Sequence, residues 1–235
     1  MRLHMPLSCN NSRKVEILNE FNVVVVGVGG QGSILLSQLI ANAARIEGYD
    51  VQTAETLGMA QRGGSVIGFV RYGKEIYTPM IPEHAAHFMI ALEASEALRA
   101  VAHVGQSTSV ILNTRAKVPL NVVLGQDTYP DAKKIEIFLR SVGAKTYSMD
   151  ATDLGERAGD SKTSNVAMLG GMAALGNTGV LVENYRIALK KNLPEKLLHQ
   201  NLRAFELGHD AVTALLATNQ CREYVIQNRT MLGLG

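Results

Sequence analysis

The stretch Phe21-Asn-Val-Val-Val-Val-Gly-Val-Gly-Gly-Gln-Gly32 decides the fold. Its first six residues form a short apolar run, rich in valine, that stops at glycine, which is typical of a strand buried on both faces of a parallel sheet. Apolar residues at helical spacing follow from Gln31 to Glu47, and Gly48 ends them. The sequence therefore predicts a strand, a glycine turn and a helix in succession, the unit from which α/β sheets are built.

Outward from this unit, strand and helix patterns alternate along the chain. Residues 65–71 and 75–78, on either side of Gly73, are interpreted as an inserted β-hairpin. The other patterns predict strands at 49–55, 87–92, 108–113, 120–124 and 145–149, and helices at 94–103, 131–142, 164–175 and 183–191. A last apolar stripe marks one face of a further helix, through Leu198, Leu202, Phe205, His209, Val212 and Leu216. We predict an α/β fold: a Rossmann-like, mostly parallel sheet with helices on both faces, an inserted β-hairpin and a helical C-terminal segment.

Length and composition set limits on organisation and function. The 235 residues are divided into an N-terminal extension at 1–20, one domain at 21–217 and a C-terminal tail at 218–235. The 23 basic and 21 acidic residues give a net charge of +2 without a basic cluster, so no nucleic-acid partner is expected. No apolar run reaches the roughly 20 residues of a membrane span, and no signal peptide is recognisable, so a cytoplasmic location is expected. The two cysteines, Cys9 and Cys221, indicate reduced thiols and are too few for an ordinary four-thiolate iron-sulfur cluster.

The glycine turn is the first candidate binding element. Gly27, Gly29 and Gly32 form the pattern G-x-G-x-x-G between a strand and a helix, where backbone N–H groups and the helix dipole attract phosphate. Glu55, at the end of the second predicted strand, stands where a dinucleotide-binding protein keeps its ribose-binding acid, so a stand-alone NAD-dependent dehydrogenase is one hypothesis. Against it, the side chain of Gln31 has the length and polarity to occupy the turn itself, and the chain after Glu55 enters a hairpin where a crossover helix is expected.

A second glycine-rich loop, Gln61-Arg-Gly-Gly-Ser65, offers a guanidinium beside two permissive glycines. Both loops are expected near each other at the carboxyl ends of the strands, where open α/β sheets bind ligands. The pair His84 and His87 beside Glu83 lacks a third metal ligand, so we predict no metal site, and no catalytic set of side chains is recognised. The candidate residues for phosphate or subunit contact are Gly27, Gly29, Gly30, Gln31, Gly32, Gln61, Arg62, Gly63, Gly64 and Ser65.

With these motifs in order, the chain resembles the gamma domain of the 2-oxoacid:ferredoxin oxidoreductases, in the form found as the beta subunit of the indolepyruvate enzymes. Further matching blocks extend the resemblance from about Phe21 to Gly208: Gly58-Met-Ala-Gln-Arg-Gly-Gly-Ser65, Val118-Pro119, Gly125, Tyr129-Pro130, Asn165-Val-Ala-Met-Leu-Gly170 and Asn201-Leu-Arg-Ala-Phe-Glu-Leu-Gly208.

The resemblance implies a division of labour between subunits. A large alpha subunit would carry thiamine diphosphate, magnesium and the 4Fe-4S clusters, while this chain binds no cofactor of its own and is inactive alone. The holoenzyme would oxidatively decarboxylate indolepyruvate or a related arylpyruvate to an acyl-coenzyme A and pass two electrons to ferredoxin. The glycine loops would hold the coenzyme A phosphates or contact the alpha subunit. A homodimer of the isolated chain, or an interaction module without a small-molecule ligand, also remains open.

Overall fold

The structure, a computed structural model, describes residues 18–57, 64–116 and 131–231, with only the helical backbone from residue 219 onward. The strands are β1 Glu20–Val28, β2 Asp50–Leu57, β3 Ser65–Gly73, β4 Ala86–Ala91, β5 Val104–Asn113 and β6 Lys145–Met149. The helices are α1 Ser33–Glu47, α2 Ala94–Arg99, α3 Ala132–Ser141, α4 Ala151–Ala158, α5 Ser164–Ala174, α6 Val182–Asn192 and α7 Glu195–Met231. Two 3-10 turns, Val101–His103 and Ser161–Thr163, precede β5 and α5. The strand predicted at 120–124 lies outside the described residues.

Six strands form one sheet in the order β2-β3-β1-β4-β5-β6. Neighbours from β1 to β6 run parallel, whereas β3 is antiparallel to both β1 and β2. Alternate valines of β1 enter different cores: Val23 and Val25 pack on one face, and Val24 and Val26 pack on the other. The prediction of a mostly parallel sheet buried on both faces is therefore confirmed.

The inserted hairpin exists, but its predicted second strand is wrong. Strand β3 pairs with the preceding β2 from Asp50 opposite Gly73 to Leu57 opposite Val66, and residues 75–78 form no strand. Both edges of β3 are already occupied by β1 and β2, so a strand after Gly73 has no free edge to join. The carbonyl groups of Thr78 and Met80 instead accept hydrogen bonds from the buried guanidinium of Arg71, at 3.1 and 2.9 Å.

Helices cover both faces of the sheet, as predicted. Helices α2 and α3 pack on one face, and α1 with α4 to α7 packs on the other. The C-terminal helix α7 covers α5, and two glycines allow their backbones to touch: a Cβ atom at Gly170 would overlap the carbonyl of Phe205, and one at Gly208 would overlap that of Ala167. Helix α7 continues through the predicted boundary at residue 217. No helix in the described part of the chain is long and apolar enough to cross a membrane.

Candidate anion-binding site at the carboxyl edge of the sheet

The glycine turn between β1 and α1 is filled by its own glutamine. The Oε1 atom of Gln31 accepts the N–H of Val28 at 2.7 Å, and its Nε2 atom donates to the carbonyl of Leu92 at 3.3 Å. This contact ties the turn to the end of β4. The prediction that the Gln31 side chain occupies the turn is therefore confirmed.

Backbone groups of the turn are also bonded within the protein. The N–H of Gly29 donates to the carbonyl of Gly64 at 2.8 Å, and the N–H of Gln31 donates to that of Val28 at 3.1 Å. Together with Val28, three amides of the turn are thus withdrawn from any ligand, so the turn does not wrap a pyrophosphate as a dinucleotide-binding turn does. The first of these bonds also brings the two glycine-rich loops into contact.

The start of helix α1 remains available to an anion. Gly32 is the N-cap residue, with φ of +78°, and has no side chain to cap the first turn. Asn165 donates from Nδ2 to the carbonyl of Gly32 at 3.1 Å, and a Cβ atom at Gly32 would overlap that amide nitrogen. A glycine is required here by both its conformation and this close approach. Among the described residues, no side chain caps the first N–H groups of α1 or the positive end of its dipole.

A pocket of about 450 Å³ opens beside this helix end. Its lining combines two cations with hydroxyl and amide groups from four separate segments of the chain. The lining residues are Gly30, Gln31, Gly32, Leu35, Arg115, Ala116, Thr152, Ser161, Lys162, Ser164 and Asn165. A helix N-terminus, two cations and several neutral donors in one cleft are the groups that bind phosphate in proteins.

Arg115 is held in place by an acid. Its Nη2 and Nε atoms donate to Oδ2 of Asp150 at 3.0 and 3.1 Å. Asp150 also accepts the N–H of Asp153 at 2.9 Å and so caps α4. Burial alone would raise the pKa of Asp150, but its hydrogen bonds from Asp153 and Arg115 outweigh this effect and lower the pKa below its usual value. Asp150 therefore remains ionised and paired with Arg115.

The predicted site residues are brought together only in part. The first loop, from Gly27 to Gly32, lies beside the pocket, and Gly64 contacts it through Gly29. Ser65 turns away, and its hydroxyl donates to the buried carboxylate of Glu96. The candidates Gln61, Arg62 and Gly63 lie outside the described residues.

Arg115 and Lys162 were not identified from the sequence, although they supply the positive charge of the pocket. Arg115 follows the strand predicted at 108–113, and the rule that ligands bind at the carboxyl ends of strands would have selected it. Lys162 lies in a 3-10 turn after Asp160, and no local pattern distinguishes it from a solvated lysine.

The position of Glu55 in the sheet contradicts the dehydrogenase hypothesis. This residue lies on the edge strand β2, and β3 separates it from β1. With neighbouring strands about 4.8 Å apart, the carboxylate belongs to a strand about 10 Å from the one that leads into the glycine turn. An acid that binds ribose has to lie on the strand next to that turn, so Glu55 does not take this role.

The two histidines of the His84 and His87 pair are bound separately. The Nδ1 atom of His84 lies 3.0 Å from the carbonyl of Val104, and Nδ1 of His87 accepts the N–H of Asn22 at 3.0 Å. In the described ranges, no group of three or more His, Cys, Asp or Glu side chains is arranged to hold a metal ion.

The sequence of this chain is similar to those of known proteins over most of its length. The family model of pyruvate ferredoxin/flavodoxin oxidoreductase matches residues 22–211. The indolepyruvate oxidoreductase subunit IorB of Archaeoglobus fulgidus is 41% identical over 189 residues, which cover 80% of this chain and 94% of that protein.

Two solved structures share the fold. The gamma subunit of a keto/oxoacid ferredoxin oxidoreductase from Geobacter sulfurreducens aligns with a TM-score of 0.62 at 20% identity, covering 83% of this chain and 99% of that one. The 2-oxoglutarate:ferredoxin oxidoreductase of Magnetococcus marinus, solved with 2-oxoglutarate, coenzyme A and succinyl-CoA, aligns with a TM-score of 0.64 at 21% identity. This chain is covered to 83% and the Magnetococcus chain to 31%.

Proposed function

Because the chain belongs to the pyruvate ferredoxin/flavodoxin oxidoreductase family, we propose that it is the small subunit of an indolepyruvate-type 2-oxoacid:ferredoxin oxidoreductase. The assembled enzyme oxidatively decarboxylates an arylpyruvate, releases carbon dioxide, transfers the acyl group to coenzyme A and passes two electrons to ferredoxin. The single observation that carries this proposal is the 41% identity to an indolepyruvate oxidoreductase subunit along 94% of that subunit's length.

The redox cofactors of such an enzyme do not fit this chain. Its cysteines, Cys9 and Cys221, are two, whereas an iron-sulfur cluster of the ordinary type takes four thiolates. We therefore assign thiamine diphosphate, magnesium and the 4Fe-4S clusters to a large alpha subunit, and assign no catalytic residue to this chain.

For this chain we propose a role in holding coenzyme A, which is a substrate with three phosphate groups. The pocket offers the N-terminus of α1, the guanidinium of Arg115 and the ammonium of Lys162 to one anion. Arginine binds phosphate through two parallel hydrogen bonds, and lysine adds a compact point charge. The ligand occupies the open side of Gly30 and Gly32, because the turn amides next to them are bonded internally.

The second loop, Gln61 to Ser65, completes this proposal. Gly29 and Gly64 fix its end against the first loop, and Arg62 precedes Gly64 by two residues along the chain. We propose that this loop either adds the Arg62 guanidinium to the phosphates or contacts the alpha subunit. The thiamine diphosphate that we assign to the alpha subunit would supply the chemistry that forms the acyl group.

We further propose that residues 21–217 form the gamma-type domain, with an N-terminal extension before it and a C-terminal tail after it. The location is taken to be cytoplasmic because the family's electron acceptor, ferredoxin, and reduced thiols both belong to reducing compartments. We propose that the isolated chain is inactive, with a homodimer as the alternative to a monomer when its partner is absent.

The test uses the enzyme purified with its large subunit and assays arylpyruvate-dependent ferredoxin reduction while coenzyme A is varied. We expect Arg115→Ala and Lys162→Ala each to raise the KM for coenzyme A about tenfold, because each removes a charged hydrogen bond to phosphate. The KM for the arylpyruvate should stay within about twofold, since that pocket lies in the partner.

The matched control is Arg157→Ala, which removes an exposed arginine paired with Asp153 on the same side of the sheet but outside the pocket. It should leave the KM for coenzyme A unchanged. The proposal is wrong if the chain copurifies with no large thiamine-containing subunit. The assignment of the pocket alone is wrong if Arg115→Ala and Lys162→Ala behave like the control.

A further inference from the structure

Asn113 is the last residue of β5 and lies under the candidate pocket without lining it. It is almost fully buried, with 4% of its surface exposed. Since β5 is flanked by the parallel strands β4 and β6, Asn113 ends its strand between two neighbouring strands at the carboxyl edge of the sheet. A buried amide must find hydrogen-bond partners, so its contacts show which parts of the molecule it organises.

The Oδ1 and Nδ2 atoms of Asn113 each make two hydrogen bonds. Its Oδ1 atom accepts the N–H of Ala151 at 3.0 Å and the N–H of Arg115 at 3.3 Å. Its Nδ2 atom donates to the carbonyl of Leu92 at 3.3 Å and to Oγ1 of Thr152 at 3.3 Å. One side chain thus joins the ends of β4 and β5 to the first residues of α4.

Three of the linked groups belong to the pocket wall. Arg115 and Thr152 are bonded to Asn113 directly, and Gln31 shares the Leu92 carbonyl with it, at 3.3 Å. Asn113 also binds the first N–H of the helix whose N-cap, Asp150, holds the Arg115 guanidinium. Arg115 is therefore held at its backbone by Asn113, while its guanidinium is paired with the N-cap of the helix that Asn113 also binds.

From this geometry we propose that Asn113 is a positioning residue for the anion site, which acts by orienting Arg115 toward one phosphate group. The inference rests on the proposed role of the pocket in binding coenzyme A. A primary amide is suited to this task because it carries two acceptor lone pairs and two donor hydrogens on one planar group. An ionised carboxylate only accepts, and an alanine does neither. Fixing the donors before the ligand arrives reduces the ordering cost of binding.

The test substitutes Asn113→Asp and Asn113→Ala in the enzyme purified with its large subunit. Aspartate keeps the acceptors for Ala151 and Arg115 but loses both donors and places a negative charge below the anion. We expect the KM for coenzyme A to rise about tenfold in either variant, with kcat and the KM for the arylpyruvate within about twofold. Combined with Arg115→Ala, Asn113→Ala should raise the KM little further, because a residue that acts through Arg115 loses its effect when Arg115 is gone.

A control for simple destabilisation is available on the same strand. Thr108 lies toward the opposite end of β5, is fully buried, accepts the N–H of Gly105 at 2.8 Å and donates to the carbonyl of Ala86 at 2.6 Å. Thr108→Val should lower the thermal midpoint of unfolding as Asn113→Ala does, while the KM for coenzyme A stays at its original value. If Thr108→Val raises this KM equally, Asn113 has only a structural role and the proposal is overturned.

The outcomes separate this inference from the function on which it rests. A raised KM in Arg115→Ala together with an unchanged KM in both Asn113 variants removes the positioning role and leaves the coenzyme A site intact. An unchanged KM in Arg115→Ala and Lys162→Ala removes the coenzyme A site itself. Additive effects of Asn113→Ala and Arg115→Ala also contradict the proposal, because they show that Asn113 does not act through Arg115.

Discussion

Arg71 and Arg115 lie at opposite ends of the sheet and differ in how far the protein satisfies each guanidinium. Arg71 has 11% of its side chain exposed and donates to Glu20, Asn22 and two backbone carbonyls. Arg115 has 50% of its side chain exposed, and the bonds from its guanidinium go to Asp150. Arg71 holds Thr78 and Met80 near the amino end of β1, whereas among the described residues the Arg115 guanidinium donates to Asp150 and keeps other donors for a ligand.

This difference distinguishes a cation that stabilises the fold from one that can bind a ligand. A buried cation must be fully hydrogen-bonded by its own fold, since an unpaired buried charge is strongly destabilising. A half-exposed cation beside an uncapped helix start can keep part of its bonding capacity for an anion. Variants at the two ends should therefore separate stability from ligand affinity.

The largest expected effect is on stability, at the amino end. Arg71→Ala leaves the buried Oδ1 of Asn22 and the carbonyls of Thr78 and Met80 without their donor. We expect a loss of about 3 kcal/mol in the free energy of unfolding, with no change in the KM for coenzyme A. Chemical denaturation measures the first quantity, with Arg157→Ala as the exposed control expected to change it by less than about 0.5 kcal/mol. A midpoint equal to that of the unsubstituted protein would show that Arg71 is not structural.

A smaller effect, an increase in the affinity for coenzyme A, is expected at the carboxyl end of the sheet. Asp150→Asn keeps an acceptor for the N–H of Asp153 but removes the charge that competes with a phosphate for Arg115. The KM for coenzyme A should fall about threefold, the size of a typical exposed ion pair. Asp131→Asn, a change at the N-cap of α3 away from the pocket, is the matched control. A rise in KM on Asp150→Asn would mean that the ion pair positions Arg115 more than it competes for it.

The smallest expected effect is a pH dependence of folding stability, caused by His87 at the amino end of the sheet. Burial lowers the pKa of His87, and the charge of Glu20 opposes this only in part. Protonation would also replace the acceptor at Nδ1 that the N–H of Asn22 requires. The unfolded chain then binds the proton more readily, so stability should be complete above about pH 6.5 and decrease as the pH falls below that value. Denaturation midpoints between pH 8 and pH 5 measure this slope, and a His87→Gln variant with the same slope would exclude His87 as its source.

The sequence was sufficient for the parts of the molecule that depend on local pattern. The valine run of β1, the glycine turn and the role of Gln31 follow from residue types that allow few alternatives. The sequence did not predict that β3 pairs with β2, because that pairing depends on the order of the strands in the sheet. The carbonyls of Thr78 and Met80, which were predicted to be in a strand or next to one, are instead bound by Arg71. Arg71 ends a predicted strand and Arg115 follows one, so exposure and partner atoms are needed to distinguish them. Lys162 reaches the pocket only through the packing of a 3-10 turn.

The glycine contact between α5 and α7 has a consequence for the pocket. Asn165, which grips the Gly32 carbonyl, lies near the first residue of α5, and Gly170 lies less than two turns further along the same helix. Gly170 and Gly208 together let the backbones of α5 and α7 touch, because neither has a Cβ atom to keep them apart. A side chain at Gly170 or Gly208 would push the two helices apart and displace Asn165 from the Gly32 carbonyl at the pocket wall.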